Sequence, residues 1–253
     1  MEAYTDFASV YDELMDETPY EKWCDNVLKV FHENDIEDGL ILDLGCGTGS
    51  MTELLAAKGY DMIGVDYSME MLNIAQEKRE ASGRDILYLN QDMREFELYG
   101  TVRAIISICD SINYLLEDED VISTFKLVNN YLDPKGIFFF DFNTNYKYET
   151  VIGDSVIAEN RDDCSFIWEN YYDFEERINE YDLTIFVKEN EAGEDMFRKF
   201  EETHFQRGYT LEEMKSFIER AGLIFVKAFD ADTLEAVTDK SERIYVVARE
   251  NGK

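Results

Sequence analysis

Four short apolar runs, each followed by a polar cluster, mark out the first half of the chain. Ile41, Leu42 and Leu44 precede Gly45, Met62 to Val65 precede Asp66, Ile86 to Leu89 precede Asn90-Gln91-Asp92-Met93, and Ala104 to Ile108 precede Cys109-Asp110-Ser111. Near-continuous apolar runs of this length suit strands covered on both faces, as in a parallel sheet. Met51, Leu54 and Leu55 follow the first run at helical spacing, which sets the pattern of an α/β fold. Upstream, Tyr4, Phe7, Tyr11 and Leu14 recur at helical spacing. Thr18-Pro19-Tyr20-Glu21 then reads as a capping box with proline in the first turn, opening a helix whose Tyr20, Trp23, Val27, Val30 and Phe31 share a face that packs on the sheet.

After Phe142 the period changes to two. Phe166, Trp168, Tyr172 and Phe174 alternate with their neighbours, and so do Tyr181, Leu183, Ile185 and Val187. Glu175 to Asn179 turns the first strand into the second, and Lys188 to Asp195, containing Gly193, leads to a third from about Met196 to Arg207. Thr210 and Glu213 form another capping box before a helix that runs to Gly222, and strands near Leu223 to Phe229 and Arg243 to Ala248 return to the main sheet. The antiparallel ribbon is therefore an insertion, and the expected division is residues 1–145 with 208–253 as one domain and 146–207 as an inserted lid.

The chemistry concentrates at Gly45-Cys46-Gly47-Thr48-Gly49-Ser50, between a strand and a helix N-terminus. Gly45 and Gly47 allow backbone angles and close ligand approach that a Cβ would forbid. A dinucleotide turn places a third glycine where Ser50 stands, which weakens a pyrophosphate reading. Asp66 ends the next strand 21 residues after Gly45, the interval at which an acidic side chain reaches ribose hydroxyls. In an open parallel sheet, ligands bind beyond the carboxyl ends of the strands, so Gly45, Asp66, Asp92 and Asp110 should converge on one crevice. That crevice is acidic and suits a ligand with a positive centre.

With LDLGCGTGS, GVDYSMEML, NQDMREF, ICDSINYLL and LDPKGIFFFDFN in this order, the chain resembles a class I S-adenosylmethionine-dependent methyltransferase over about residues 36 to 143. The resemblance implies a Rossmann-like seven-stranded sheet with helices on both faces and S-adenosylmethionine as cofactor. It implies that Gly45, Cys46 and Gly47 line the methionine part and that Asp66 takes the ribose hydroxyls. Tyr67 and Met71 would pack near the adenine, Asp92 would accept from its amino group, the Met93 backbone would donate to the ring, and Cys109 and Asp110 would lie near the methionine amino group. The N-terminal segment of such proteins closes over the cofactor, which makes Tyr11 and Trp23 candidates for the site. The aromatic-rich insertion resembles the lid of small-molecule methyltransferases, including sugar-amine N-methyltransferases and glycine N-methyltransferase-like enzymes. Tyr11, Asp110, Asp141, Asn143 and His204 are candidates for proton acceptance or acceptor placement, and Arg207 shares the strand of His204. A catalytically silent binding module and a nucleotide-dependent oxidoreductase are the alternatives.

Charge narrows the acceptor. The 253 residues carry 56 acidic and 24 basic side chains, a formal net charge of −32, which opposes a nucleic-acid substrate because phosphate backbones are bound by basic patches. A small amine fits better, since an acidic protein attracts its protonated form. Cysteines 24, 46, 109 and 164 have no metal-ligand spacing and form no disulfide framework, and no metal is expected. Neither end carries a long apolar run, and Met1 to Met15 lacks a signal sequence's basic region and apolar core, so a cytoplasmic protein with no membrane association is expected. Aromatic residues of the insertion would pack on the core or on a second copy, so a homodimer stays open.

Overall fold

The computed structural model describes residues 7–191 and 194–253. Five parallel strands, β1 (Leu40–Leu44), β2 (Asp61–Asp66), β3 (Ile86–Asn90), β4 (Val102–Ser107) and β5 (Leu132–Asn143), form most of one sheet. Two further strands, β10 (Ile224–Asp230) and β11 (Arg243–Arg249), complete it in the order β10-β11-β5-β4-β1-β2-β3, with β11 antiparallel to both neighbours. The strand order reverses beside β1, between β4 and β2, which places the carboxyl ends of β1, β2 and β4 around one crevice.

Alternate side chains of each strand enter opposite layers. Ile41 packs with Val27 and Phe31 of α2 (Tyr20–Glu33), Leu55 of α3 (Ser50–Ala57) and Leu72 of α4 (Met69–Ser82). Leu42 points the other way, to Phe125 of α5 (Asp118–Tyr131) and Phe217 of α6 (Leu211–Arg220). The expected seven-stranded sheet with helices on both faces is therefore present. The capping box of α6 forms as expected, with Thr210 Oγ1 accepting from the Glu213 N–H and the Glu213 carboxylate accepting from the Thr210 N–H. The one expected at Thr18 does not. Pro19 occupies the position before α2 with ψ 54°, and Thr18 is drawn away to the Met15 sulfur.

Between β5 and α6 the chain builds a second, four-stranded antiparallel sheet in the order β6 (Val156–Asn160), β7 (Cys164–Asp173), β8 (Ile178–Glu191) and β9 (Glu194–Arg207). β6 and a short π-type helical turn over Lys147–Ile152 add to the three strands expected. Helix α1 (Ala8–Leu14) lies on the inner face of this sheet, where Val10 joins Cys164, Leu183 and Ile185 in a small core of their own. Tyr4 and Gly193, which figured in the sequence patterns, lie outside the described residues. No helix among the described residues is long and apolar enough to cross a membrane.

Candidate active site

The glycine turn hangs from the end of β2, because the Gly45 and Cys46 N–H groups both donate to the Val65 carbonyl, at 2.8 and 3.0 Å. Gly45 and Gly47 have φ of +79° and +54°. A Cβ on Gly45 would stand 2.7 Å from that of Ser111, so the close approach of the β1 and β4 loops requires glycine there. A Cβ on Gly47 would meet nothing within 4 Å, so here the bare backbone faces open space. That space is a cavity of about 360 Å³ at the carboxyl ends of β1 to β4, a size typical of small-ligand sites.

Asp66 forms its floor. One carboxylate oxygen accepts from the Gly47 N–H and the other from the Ser68 N–H, both at 2.8 Å, and the Tyr67 N–H adds a third backbone donor, which ties the acid to the glycine turn. Burial raises its pKa above the usual carboxylate range despite the backbone donors. Tyr67, Met71, Asp92 and Met93 line the same end of the cavity. Asp92 is engaged by its neighbour, since Arg94 grips both of its oxygens through Nε at 3.0 Å and Nη2 at 2.5 Å. Burial opposes the ionised form of Asp92, but the side-chain bond, backbone N–H and charge of Arg94 together outweigh it and hold the carboxyl below its ordinary value.

At the end of β4 two successive non-glycine residues, Cys109 and Asp110, take left-handed angles with φ of +68° and +53°. Such strain persists only where surrounding contacts over-determine it. The buried Asp141 carboxylate supplies them, accepting from the Cys109 N–H at 3.2 Å and the Asp110 N–H at 2.7 Å. Arg243, from the start of β11, then bridges Asp141 at 3.1 Å and Asp110 at 2.5 Å. The Cys109 thiol lines the cavity, but burial and then the Asp110 charge push its pKa up to about 12, so it stays protonated and poorly nucleophilic at neutral pH.

Asp110 does not line the cavity. Its carboxylate is held by Arg243 and by the Gln206 amide at 2.7 Å, which makes it a tie between the β4 loop and the second sheet. Asn143 is likewise buried behind the cavity, bonded to the Asn113 side chain, the Tyr148 hydroxyl and Lys147 Nζ. Trp23 also stands outside it. Its ring lies 5.2 Å beneath the Arg243 guanidinium, and Tyr20, one helical turn earlier and nearer the strand ends, takes the lining position. Tyr11 of α1 lines the cavity from above and hydrogen-bonds both Tyr20 and Cys109. Arg207 serves structure, with a salt bridge to Asp118 at 2.8 Å and its guanidinium over Tyr209.

β9 turns an unusual row inward. Glu202, His204 and Gln206 are all buried, while Phe205 between them is exposed. The Glu202 carboxylate accepts from the Phe7 N–H at 2.9 Å, His204 meets Tyr114 at 3.2 Å, and Gln206 accepts from the Tyr148 hydroxyl at 2.8 Å. Among the described residues, Tyr114, which lines the cavity, stands between it and His204. Sequence reasoning missed Tyr20, Tyr114 and Arg243. A signal for the row was present in Glu202-Thr203-His204-Phe205-Gln206, where the polar residues share one parity.

A second tie fastens α1 to the nucleotide turn. Lys78 of α4 pairs with Asp12 at 2.5 Å and donates to the hydroxyls of Thr48 at 3.0 Å and Ser50 at 2.9 Å, while Thr48 donates to Asp12 at 2.7 Å.

Residues 41–136, which contain the glycine turn, Asp66 and the β4 loop, match the Methyltransferase domain family. Along its whole length the chain is 39% identical over 249 residues to YqeM of Bacillus subtilis (strain 168), which carries a methyltransferase name, covering 98% of this chain and 97% of that protein. The crystal structure of a S-adenosylmethionine-dependent methyltransferase from Clostridium acetobutylicum ATCC 824 superposes with a TM-score of 0.87 at 30% identity, over 99% of this chain and 100% of that one. The sugar N-methyltransferase KedS8 from Streptoalloteichus sp ATCC 53650 shares the fold, with a TM-score of 0.78 at 14% identity over 100% and 96% of the two chains. The chain belongs to the class I S-adenosylmethionine-dependent methyltransferases, and its cofactor is S-adenosylmethionine.

Proposed function

We propose that the protein methylates a small amine in the cytoplasm, inside a chamber closed between α1 and the second sheet. One observation carries this reading: the Phe7 N–H bound to Glu202 joins the two roof elements directly above the cavity that Tyr11 and Tyr114 line. A closed roof admits a metabolite and not a polymer, and a net charge of −32 repels a phosphate backbone. The same charge draws a cationic amine inward. The likeness in fold to a sugar N-methyltransferase supports nitrogen as the atom methylated.

In this reading residues 146–207 act as the substrate lid on the domain formed by 1–145 and 208–253. Gly45, Cys46 and Gly47 cradle the methionine part of the cofactor, and the Asp66 carboxylate takes the ribose hydroxyls. Tyr67, Met71 and Met93 enclose the adenine. Asp92 either shares its oxygens with Arg94 or releases one to the adenine amino group. The bound cofactor supplies an activated methyl, so the chain itself must align the acceptor, exclude water and remove a proton. Asp141 and Arg243 set the β4 loop against which the methionine end rests, and Asp110 and Asn143 act by fixing that loop to the lid. Tyr11 and the Tyr114–His204 pair face the acceptor.

Titration calorimetry with S-adenosylmethionine and S-adenosylhomocysteine tests the cofactor site. Incubation of the protein with tritiated S-adenosylmethionine and a deproteinised bacterial extract tests the acceptor. The expected result is label in a small cationic metabolite whose mass rises by one methylene. Label only in protein or RNA added to the assay overturns the proposal.

A further inference from the structure

The side of the second sheet that faces away from the chamber is built differently from the side that roofs it. Pairing of β7, β8 and β9 sets its outward residues in rows that run across the three strands. Tyr171, Glu180 and Phe205 form one row, Glu169, Asp182 and Thr203 the next, and Ile167, Thr184 and Glu201 the third. Between these rows the inward residues Asn170, Tyr181 and His204 are buried. Tyr171 is 50% exposed, Phe205 43% and Ile167 39%, so three large apolar side chains stand in solvent on one face. Apolar groups gathered in this way, rimmed by polar ones, mark interaction surfaces.

The charges on this face are placed against the stability of the sheet. Glu169 and Asp182 stand directly opposite one another, an arrangement in which like charges destabilise an antiparallel pair. Thr203 Oγ1 donates to Asp182 Oδ1 at 2.6 Å, which fixes that carboxylate without neutralising it. In the adjacent row Glu180 lies between the two aromatic residues. Among the described residues no lysine, arginine or histidine pairs with Glu169, Glu180 or Asp182, and Lys199, at the far end of the face, is paired with Glu201 at 2.5 Å. A cation arriving from outside would relieve the Glu169–Asp182 repulsion. Tyr171 and Phe205, two strand spacings or about 10 Å apart, leave room between them for a lysine or arginine stem whose charge meets Glu180.

We propose that this outer face docks a basic, amphipathic segment of another protein, its lysine or arginine side chains over Glu180 and the Glu169–Asp182 pair and its apolar side chains against Tyr171, Phe205 and Ile167. Charge complementarity selects this occupant. A second copy of the chain would set the same carboxylates against themselves and bring its own net charge of −32. A nucleic acid is repelled for the same reason. A polyamine would satisfy the acids but leave the rings in water. The occupant is independent of which atom is methylated, because the face lies on the back of the strands whose inner residues roof the chamber.

The test is fluorescence anisotropy with the full chain at about 0.15 M salt, where charges beyond about 8 Å are screened. The probes are three labelled amphipathic peptides, one of lysine and leucine, one of lysine and serine with the same charge, and one of glutamate and leucine. Only the lysine–leucine peptide should bind. Tyr171→Ser with Phe205→Ser, and separately Glu169→Gln with Asp182→Asn, should each weaken it about 10-fold or more, the scale of losing an interface anchor, with S-adenosylmethionine affinity by calorimetry unchanged. Equal binding of the lysine–serine peptide, full affinity in either double variant, or no binding of any peptide would overturn the proposal. So would a wild-type dimer in light scattering that Tyr171→Ser with Phe205→Ser turns into a monomer, since the occupant would then be a second copy. A measurement that needs no probe is the Tm of Glu169→Gln with Asp182→Asn, which should exceed that of the wild type at low salt. A Tm at or below the wild-type value would remove the cross-strand repulsion on which the docking rests.

Discussion

Two carboxylates on adjacent strands show how position decides role. Asp66 has backbone donors on both oxygens and lines the cavity, so Asp66→Asn should weaken S-adenosylmethionine binding about 10- to 100-fold, as expected for loss of charge-assisted hydrogen bonds of roughly 1.5–3 kcal/mol. Calorimetry measures this, and an unchanged circular dichroism spectrum would show that the fold survives. Asp43, one turn deeper, is fully buried with the Thr52 hydroxyl donating to it at 2.6 Å, and burial raises its pKa to about 7. A carboxyl with a higher pKa in the folded state than in the unfolded chain binds its proton more tightly when folded. Its contribution to stability is therefore complete at low pH and declines between about pH 4 and pH 7. Asp43→Asn should remove that decline, raising Tm at pH 8 and leaving it nearly unchanged at pH 4. A Tm gain of equal size at both values would contradict the argument. Asp66 was legible in the sequence because a strand and a helix of ordinary length set its interval from Gly45. Tyr20 and Trp23 were exchanged because both belong to one apolar helical face, and only the distance from the strand ends separates them. The hold of Asp141 and Arg243 on the strained β4 loop was not legible, since it joins residues 102 positions apart through the pairing of β5 with β11.

Elements were legible where burial imposed a single period. β1, β2 and β4 bury both faces and stand out as apolar runs, and the edge strand β3 is apolar too although Leu87 is exposed, whereas β6, exposed along its whole length, offers no pattern. β9 was located by the turn that precedes it, and its inward row is polar, with Glu202, His204 and Gln206 inside and Phe205 outside. Such a row is stable only because each member finds a partner on α1, on the turn after β4 or on the segment after β5. The roof is thus fastened by polar contacts that can open, and α1 has a second set at Lys78. With both Lys78 and Asp12 partly exposed, the ion pair itself contributes at most about 1 kcal/mol. Lys78→Met should accordingly raise the dissociation rate of S-adenosylhomocysteine by a factor of about 3 to 5, corresponding to that energy, and speed proteolytic cleavage before α2. Stopped-flow release and limited proteolysis check the two effects, and a change in neither would show that the second sheet alone holds α1.

At the scale of the molecule the excess of acid remains. Basic side chains that find a carboxylate, as Arg84 finds Glu53 and Arg220 finds Glu119, neutralise only part of the acid, because 56 acidic residues stand against 24 basic ones. Two consequences compete when salt is added. Screening weakens the surface pairs, each worth a fraction of a kcal/mol, and it also relieves repulsion summed over a net charge of −32. The second sum is larger, because repulsive pairs outnumber attractive ones and extend over a Debye length of about 10 Å at 0.1 M salt. Tm should therefore rise between 10 and 300 mM sodium chloride, by roughly 2–4 °C for each kcal/mol of repulsion relieved in a chain of this size. Scanning calorimetry at fixed pH measures it. The same screening lowers kcat/KM for a cationic acceptor by weakening its capture, so stability and catalytic capture should move in opposite directions along one salt series. A parallel rise in both would mean that the acceptor carries no positive charge when it enters the chamber.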